Sequence, residues 1–270
     1  MATPSVYTCQ SSMLLLLLLV SPLISALAVP LLAPGAEAGP ALGNAERRHA
    51  GYGVPLRIMP LGASITWGLE STDGNGYREA VRQRLVDGGN RVDMVGSRRH
   101  GKMRDNDNEG WPGFVVDEVY AKANLSVPRL LPNLVLLNAG TNDCIQNLNV
   151  SGAADRMRRL VLGVLSMSPR STVVLSSLLV NKVAATDRNV LLVNAQYQRL
   201  AAELRSTGHP VVFVDMHGSN GPQLADLADD THPDDKGYRK MAAIWYSGIA
   251  DASRAGFLRA PESVPGDGSK

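Results

Sequence analysis

The stretch Leu56-Arg-Ile-Met-Pro-Leu-Gly-Ala-Ser-Ile-Thr-Trp-Gly68 decides how this chain folds. Its apolar first part has the composition of a buried strand, and the run stops at Gly62-Ala63-Ser64. A helix-like pattern opens after it, at Tyr77. Open α/β sheets bind their ligands at the carboxyl ends of the strands, which is where this reading delivers Ser64. Ser64 is therefore a candidate nucleophile. The alternative is an ordinary strand-ending turn, where Gly and Ser are common for conformational reasons.

Working outward, strands and helices alternate. The spacing predicts strands over 55–61, 91–95, 133–138, 172–179 and 210–215. Between and after them it predicts helices over 77–87, 114–124, 153–167, 190–208 and 235–254. Asn133-Leu-Val-Leu-Leu-Asn138 encloses an apolar run, of the kind found in strands covered on both faces. Met157, Leu160, Val161 and Val164 recur at helical spacing. A long polar loop is expected from the second strand to Gly113. Five strands alternating with helices imply a parallel sheet with helices on both faces. Right-handed crossovers then gather the strand-to-helix loops at one edge.

Composition narrows the function. Net charge is +2, aromatics make up 5%, and no Lys/Arg block is long enough to mark a nucleic-acid footprint. The densest basic run, Arg98-Arg-His-Gly-Lys-Met-Arg104, leads into Asp105-Asn-Asp-Asn-Glu109 and reads as a solvated loop. Residues 1–28 carry no charge, contain an apolar run from Met13 to Val20, and end in Ala26-Leu27-Ala28. That is the pattern of a secretory signal peptide with its cleavage site, its apolar run short for spanning a bilayer, and a signal anchor is the alternative. An Ala/Pro/Gly-rich arm covers 29–54, the domain 55–256 and a disordered tail 257–270. Asn124-Leu-Ser126 and Asn149-Val-Ser151 are glycosylation acceptors consistent with secretion. Without Cys9, Cys144 stands alone, so no internal disulfide supports the domain.

The polar residues that follow the strands are Ser64, the segment Asn108-Glu-Gly-Trp-Pro-Gly113, Ala139-Gly-Thr-Asn-Asp143 and Asp229-Asp-Thr-His-Pro233. A serine hydrolase needs a nucleophile, a base, an acid to orient the base, and donors for an oxyanion. These four segments can supply them. Three residues apart across a turn, Asp229 can hold His232 by Nδ1 and leave Nε2 for Ser64. Asp215 and His217 form a rival pair directly after the fifth strand, and Asp229 as a helix cap is the non-catalytic alternative. Trp67 and Trp111 flank the serine and glycine segments, either as sugar-stacking rings or as core.

Gly62-Ala63-Ser64-Ile65, Gly113, Gly140-Thr-Asn142-Asp143 and Asp229-x-x-His232 together resemble, in order, the four blocks of the SGNH, or GDSL-type, hydrolase superfamily. The resemblance implies a single-domain, three-layer α/β/α sandwich with a flavodoxin-like parallel five-stranded sheet. It also implies ester hydrolysis with Ser64 as nucleophile, His232 as base and Asp229 as its orienter. The oxyanion hole would be the backbone N–H groups of Ser64 and Gly113 and the side-chain amide of Asn142. The sequence departs from the family at Ala63, where the block usually has an aspartate that braces the turn. Longer phrases are similar to carbohydrate esterase family 3, the acetylxylan esterases of fungi and bacteria. They are Arg57-Ile-Met-Pro-Leu-Gly62, Asp93-Met-Val-Gly-Ser97, Asn106-Asp-Asn-Glu-Gly-Trp-Pro-Gly113 and Leu227-Ala-Asp-Asp-Thr-His-Pro233. With the N-terminal segment read as a secretory signal, the expectation is a secreted, extracellular, monomeric esterase. It would act on acetylated polysaccharide or another small ester, with no cofactor or metal, no nucleic acid and no stable membrane association. A longer-chain acylhydrolase and a binding protein without catalysis are the alternatives.

Overall fold

The computed structural model describes residues 53–264, so the segment read as a signal peptide, nearly all of that read as an arm and the last six residues of the tail lie outside the described residues. The sheet is built on β1 (Leu56–Gly62), followed by α1 (Ser64–Trp67), α2 (Arg78–Asp87), β2 (Val92–Met94), β3 (Arg98–Arg99) and β4 (Asp107–Gly110). Next come α3 (Val116–Leu130), β5 (Leu134–Asn138), α4 (Thr141–Ile145), α5 (Ala153–Met167) and β6 (Thr172–Ser176). The chain continues through α6 (Ala184–Ser206) and β7 (Val211–Val214) to α7 (Asp235–Arg254). β1, β5, β6 and β7 run parallel in that order.

The second strand position is split. β2 pairs with β1 at residues 56–58, and β4 pairs with it at residues 61–62, both parallel. Pro60 sits at the gap between them. The even-numbered residues of β1 face this edge, since Leu56 N–H donates to Arg91 and Ile58 and Gly62 accept from Val95 and Trp111. A proline in a central strand would ordinarily forfeit a ladder bond. Here its missing N–H falls where no strand lies alongside.

The expected polar loop is therefore partly sheet. β4 reads as a loop because Asp-Asn-Glu-Gly lacks the β-branched and aromatic residues that favour strands. It is nonetheless buried from Asn108 to Gly110, with β3 pairing antiparallel to it. The parallel core keeps five positions, as expected, and β3 adds a short antiparallel edge.

Alternation along β1 separates two cores. Met59 and Leu61 pack with α3, α5 and α6, while Leu56 and Ile58 pack with α2 and α7. This makes a mixed α/β fold of three layers. Two helices match their expected ends, 153–167 and 235–254; the others differ at one end or both. α3 runs on through Pro128 and stops only where Leu131 turns left-handed. Part of the segment read as a disordered tail is tied down: Phe257, Arg259 and Glu262 carbonyls accept from Thr172, Asn133 and Arg57. Backbone acceptors gave this docking no side-chain signature. No described helix is long and apolar enough to cross a membrane.

Candidate active site

Ser64 is the first residue of α1, two residues beyond Gly62, where the ladder of β1 ends. Close approach shapes this turn. A Cβ on Gly62 would fall 2.0 Å from Asn138 O and 2.4 Å from Thr66 Oγ1, and one on Gly110 would fall 2.5 Å from Trp67 N. Glycine at both positions lets α1 sit down on β4 and β5. Ala63, where the family block usually has aspartate, is buried. Other bonds brace the turn instead: Ser64 O accepts from Gly68 and Leu69, Gly62 O from Trp111, and Trp67 O from Arg78. Arg78, fully buried, also bonds the carbonyls of Gly74, His100 and Asn106.

The loop between β7 and α7 brings His232 to this turn across 168 residues of sequence, with Ser64 Oγ 2.8 Å from His232 Nε2. His232 Nδ1 lies 2.7 Å from Asp229 Oδ2. An ionised carboxylate only accepts, so Nδ1 carries the hydrogen and Nε2 is free to accept from the serine. Asp229 Oδ1 accepts from the backbone N–H groups of Thr231 and His232 at 2.7 and 2.6 Å. Burial alone would raise the Asp229 pKa, but the hydrogen bonds from His232 and Thr231 outweigh it and hold the carboxyl below its ordinary value. The group stays ionised at neutral pH. Asp229 therefore bonds its own loop and the imidazole together; it does not cap α7, whose cap is Asp234.

The rival pair is joined differently. Asp215 Oδ1 accepts from the His217 backbone and from Ser177 Oγ, while the His217 ring stands 3.6 Å from Asp187 on α6. Asp215 and His217 do not meet through their side chains.

Asn142 lies on α4, with one amide hydrogen donated to Phe114 O at 2.8 Å. An amide carries two such hydrogens, so the second remains for a ligand. Beneath it Asp143 is buried, bonded to Val116 N and paired with Arg156 at 3.1 Å. Gly113 is exposed, with φ +85° and open space where a Cβ would be. Neither Ser64 N–H nor Gly113 N–H donates to a protein acceptor among the described residues. Cys144 is buried and its thiol is pushed up to about 12, chiefly by burial, which leaves it unreactive. Among the described residues no group of His, Cys, Asp and Glu is arranged to hold a metal.

Trp67 and Trp111 are half-buried and belong to one stack. His100 lies on Trp67 at 4.1 Å between ring centroids, and the Arg98 guanidinium stands 3.9 Å from Trp67 and 4.5 Å from Trp111. Lys122 Nζ is 4.4 Å from the Trp111 ring centroid. Buried Glu109 accepts from Trp111 Nε1 and from Ser97, which fixes the ring. The solvated-loop reading of the basic run is corrected here: Arg98 and His100 are packed on an indole. The paired tryptophans were the available signal, because arginine stacks on aromatic faces.

A model of the GDSL-like lipase/acylhydrolase family matches residues 61–240. A multidomain esterase of Ruminococcus flavefaciens is 25% identical over 250 residues, 82% of this chain and 31% of that protein. The chain thus spans about a third of that curated relative's length. The structure is similar to that of a family 3 carbohydrate esterase of Clostridium thermocellum, with 26% identity and a TM-score of 0.67, covering 74% of this chain and 98% of the other. A carbohydrate esterase of family 3 from Talaromyces cellulolyticus shares the fold, at 22% identity and a TM-score of 0.65 over 74% of this chain and 99% of that one.

Proposed function

The chain belongs to the GDSL-like lipase/acylhydrolase family, and from that premise we propose that it is a secreted serine esterase removing acetyl groups from carbohydrate, acetylated xylan foremost. The observation that carries the reading is the relay of 2.8 and 2.7 Å from Ser64 Oγ through His232 to Asp229. The likeness to family 3 carbohydrate esterases supports the substrate class.

In the proposed reaction Ser64 Oγ attacks the ester carbonyl while His232 Nε2 takes its proton. Asp229, ionised, steadies the imidazolium through Nδ1. The tetrahedral oxyanion rests on Ser64 N–H, Gly113 N–H and the second amide hydrogen of Asn142, each such donor worth roughly 3–4 kcal/mol. His232 then protonates the departing sugar oxygen. Water, deprotonated by the same imidazole, cleaves the acetyl-enzyme and releases acetate.

The test is hydrolysis of 4-nitrophenyl acetate, butyrate and octanoate, followed by acetate release from acetylated xylan. Turnover should be greatest on acetate and absent in Ser64→Ala at unchanged melting temperature. Full activity in that variant, or a preference for octanoate, would overturn the reading.

A further inference from the structure

The stack beside the candidate site has a chemistry that acetyl-ester cleavage does not use. The Arg98 guanidinium stands between two indoles, 3.9 Å from Trp67 and 4.5 Å from Trp111. One of its N–H groups donates to Gly110 O at 2.9 Å. A guanidinium has five N–H donors in one plane. Stacking occupies its faces and leaves its edge, which is the part that grips a carboxylate with two parallel bonds.

No carboxylate among the described residues pairs with Arg98, and none pairs with Lys122 over the Trp111 ring. The acid that meets the stack, Glu109, is buried and spends its oxygens on Ser97 and Trp111. Nor does His100 add a third charge, since burial, Arg78 and Arg98 all depress its pKa. The stack thus holds two cationic side chains on aromatic rings, beside the Glu109 carboxylate but with neither in a direct ion pair among the described residues.

Their position ties them to the ester site. Trp67 closes α1, the helix that Ser64 opens, and Trp111 N–H bonds Gly62 O. Gly110, which fixes Arg98, is the register partner of Gly62. Gly113 follows two residues after Trp111.

We propose that Arg98 and Lys122, mounted on Trp67 and Trp111, form an anion subsite that selects esters carried on acidic saccharides by binding a uronate carboxylate near the acetylated sugar. This rests on the esterase reading. The tryptophans then serve the substrate through the arginine they hold, with their own ring faces already engaged.

The experiment compares kcat/KM on two acetylated xylo-oligosaccharides, one neutral and one bearing a glucuronate branch, at low and at high salt. The acidic substrate should be favoured about tenfold at low salt, the worth of one charge-assisted carboxylate contact. The preference should shrink toward unity in roughly 0.5 M salt, where screening is short-ranged. Lys122→Gln and Arg98→Gln should each lower the acidic-to-neutral ratio. Lys122 is the safer site, because its removal leaves the stack and the Gly110 bond in place. Equal turnover of the two oligosaccharides at low salt, with 4-nitrophenyl acetate still cleaved, would overturn the anion subsite and leave the esterase reading standing. Failure to cleave any ester would remove both.

Discussion

The two halves of the candidate site are held by different physics. Ser64 lies on a turn fixed by backbone bonds and by glycines that admit no side chain, between β1, β4 and β5. Asp229 and His232 lie on a loop joined to the body by polar cross-links. Asp226, buried at the head of this loop, pairs with Lys236 and Lys240 of α7. Lys182 bonds the carbonyls of Asp230 and Leu227, and Asn181 bonds Thr231. Exposure differs accordingly: the Asp229 side chain is 44% exposed, whereas Gly62 and Ala63 are buried. Packing sets Ser64, and hydrogen bonds and charge set His232. The first half should fail through the fold and the second through alignment and pH.

The largest effect expected is on rate. His232→Ala should lower kcat by roughly 10⁴-fold or more, as loss of a triad base does elsewhere, without a change in melting temperature beyond a few degrees. Asp229→Asn should approach the same loss, because an amide can present its own hydrogen to Nδ1 and favour the wrong tautomer. Retention of more than a tenth of the wild-type kcat in either variant would break the relay.

Gly62→Ala reverses the pattern. The added methyl meets Asn138 O at 2.0 Å, a rigid backbone atom in the centre of the sheet. The expected cost is about 3 kcal/mol or more, read from denaturant unfolding, with whatever activity survives tracking the folded fraction. A variant as stable as the parent would show that the Ser64 turn is softer than its packing implies.

The same contrast explains what could be read from the sequence. Ser64, the parallel order and the helices over 153–167 and 235–254 were legible because apolar periodicity reports burial directly. The Asp229–His232 spacing was legible because both groups share one short loop. β4 was not, since Asn108 and Glu109 are buried polar residues satisfied by Asn106, Gly110, Ser97 and Trp111, and no pattern of hydrophobicity records that. Arg78 and Arg98 were missed for the same reason: a charged side chain reads as surface until its acceptors or its aromatic neighbours are known. The resemblance to family blocks singled out Ser64, His232 and Asp229, which the structure joins by hydrogen bonds, but it carried nothing about what stands in for the aspartate absent at Ala63.

Asp226 makes the loop that carries Asp229 and His232 sensitive to pH. Lys240, the Gln223 N–H and Lys236 hold its carboxyl well below the ordinary 3.8. A carboxyl depressed in the folded state adds stability that is complete above its unfolded value and lost as pH falls toward the folded one. The parent should therefore lose stability below about pH 4, and Asp226→Asn should flatten that acid limb. At neutral pH the variant should be destabilised by about 2 kcal/mol, less than for a fully buried pair because Lys236 is largely in water. Identical acid limbs in the two proteins would show that the ion pairs do not anchor the loop.

The smallest effect tests the loop at its far side. Asn181 is buried, donates to Thr231 Oγ1 at 2.9 Å and accepts from Val183 N at 2.9 Å. Thr231 N–H is in turn one of the two backbone donors on Asp229. Asn181→Ala should cost about 1–2 kcal/mol of stability for the lost bonds. Its effect on turnover should be larger than that loss accounts for, because the carboxylate that orients His232 would be less firmly placed. A purely structural residue would lower activity only in proportion to the unfolded fraction. A positioning residue lowers kcat in the fully folded protein, by about tenfold for a small displacement of the base, with KM for a small acetate ester nearly unchanged. Restoring the hydroxyl partner with Asn181→Gln should not recover kcat, since the longer side chain moves the amide away from Thr231. If Asn181→Ala keeps full kcat at a temperature where it is folded, the loop is held by Asp226 and Lys182 alone, and the polar half of the site is more rigid than its exposure suggests.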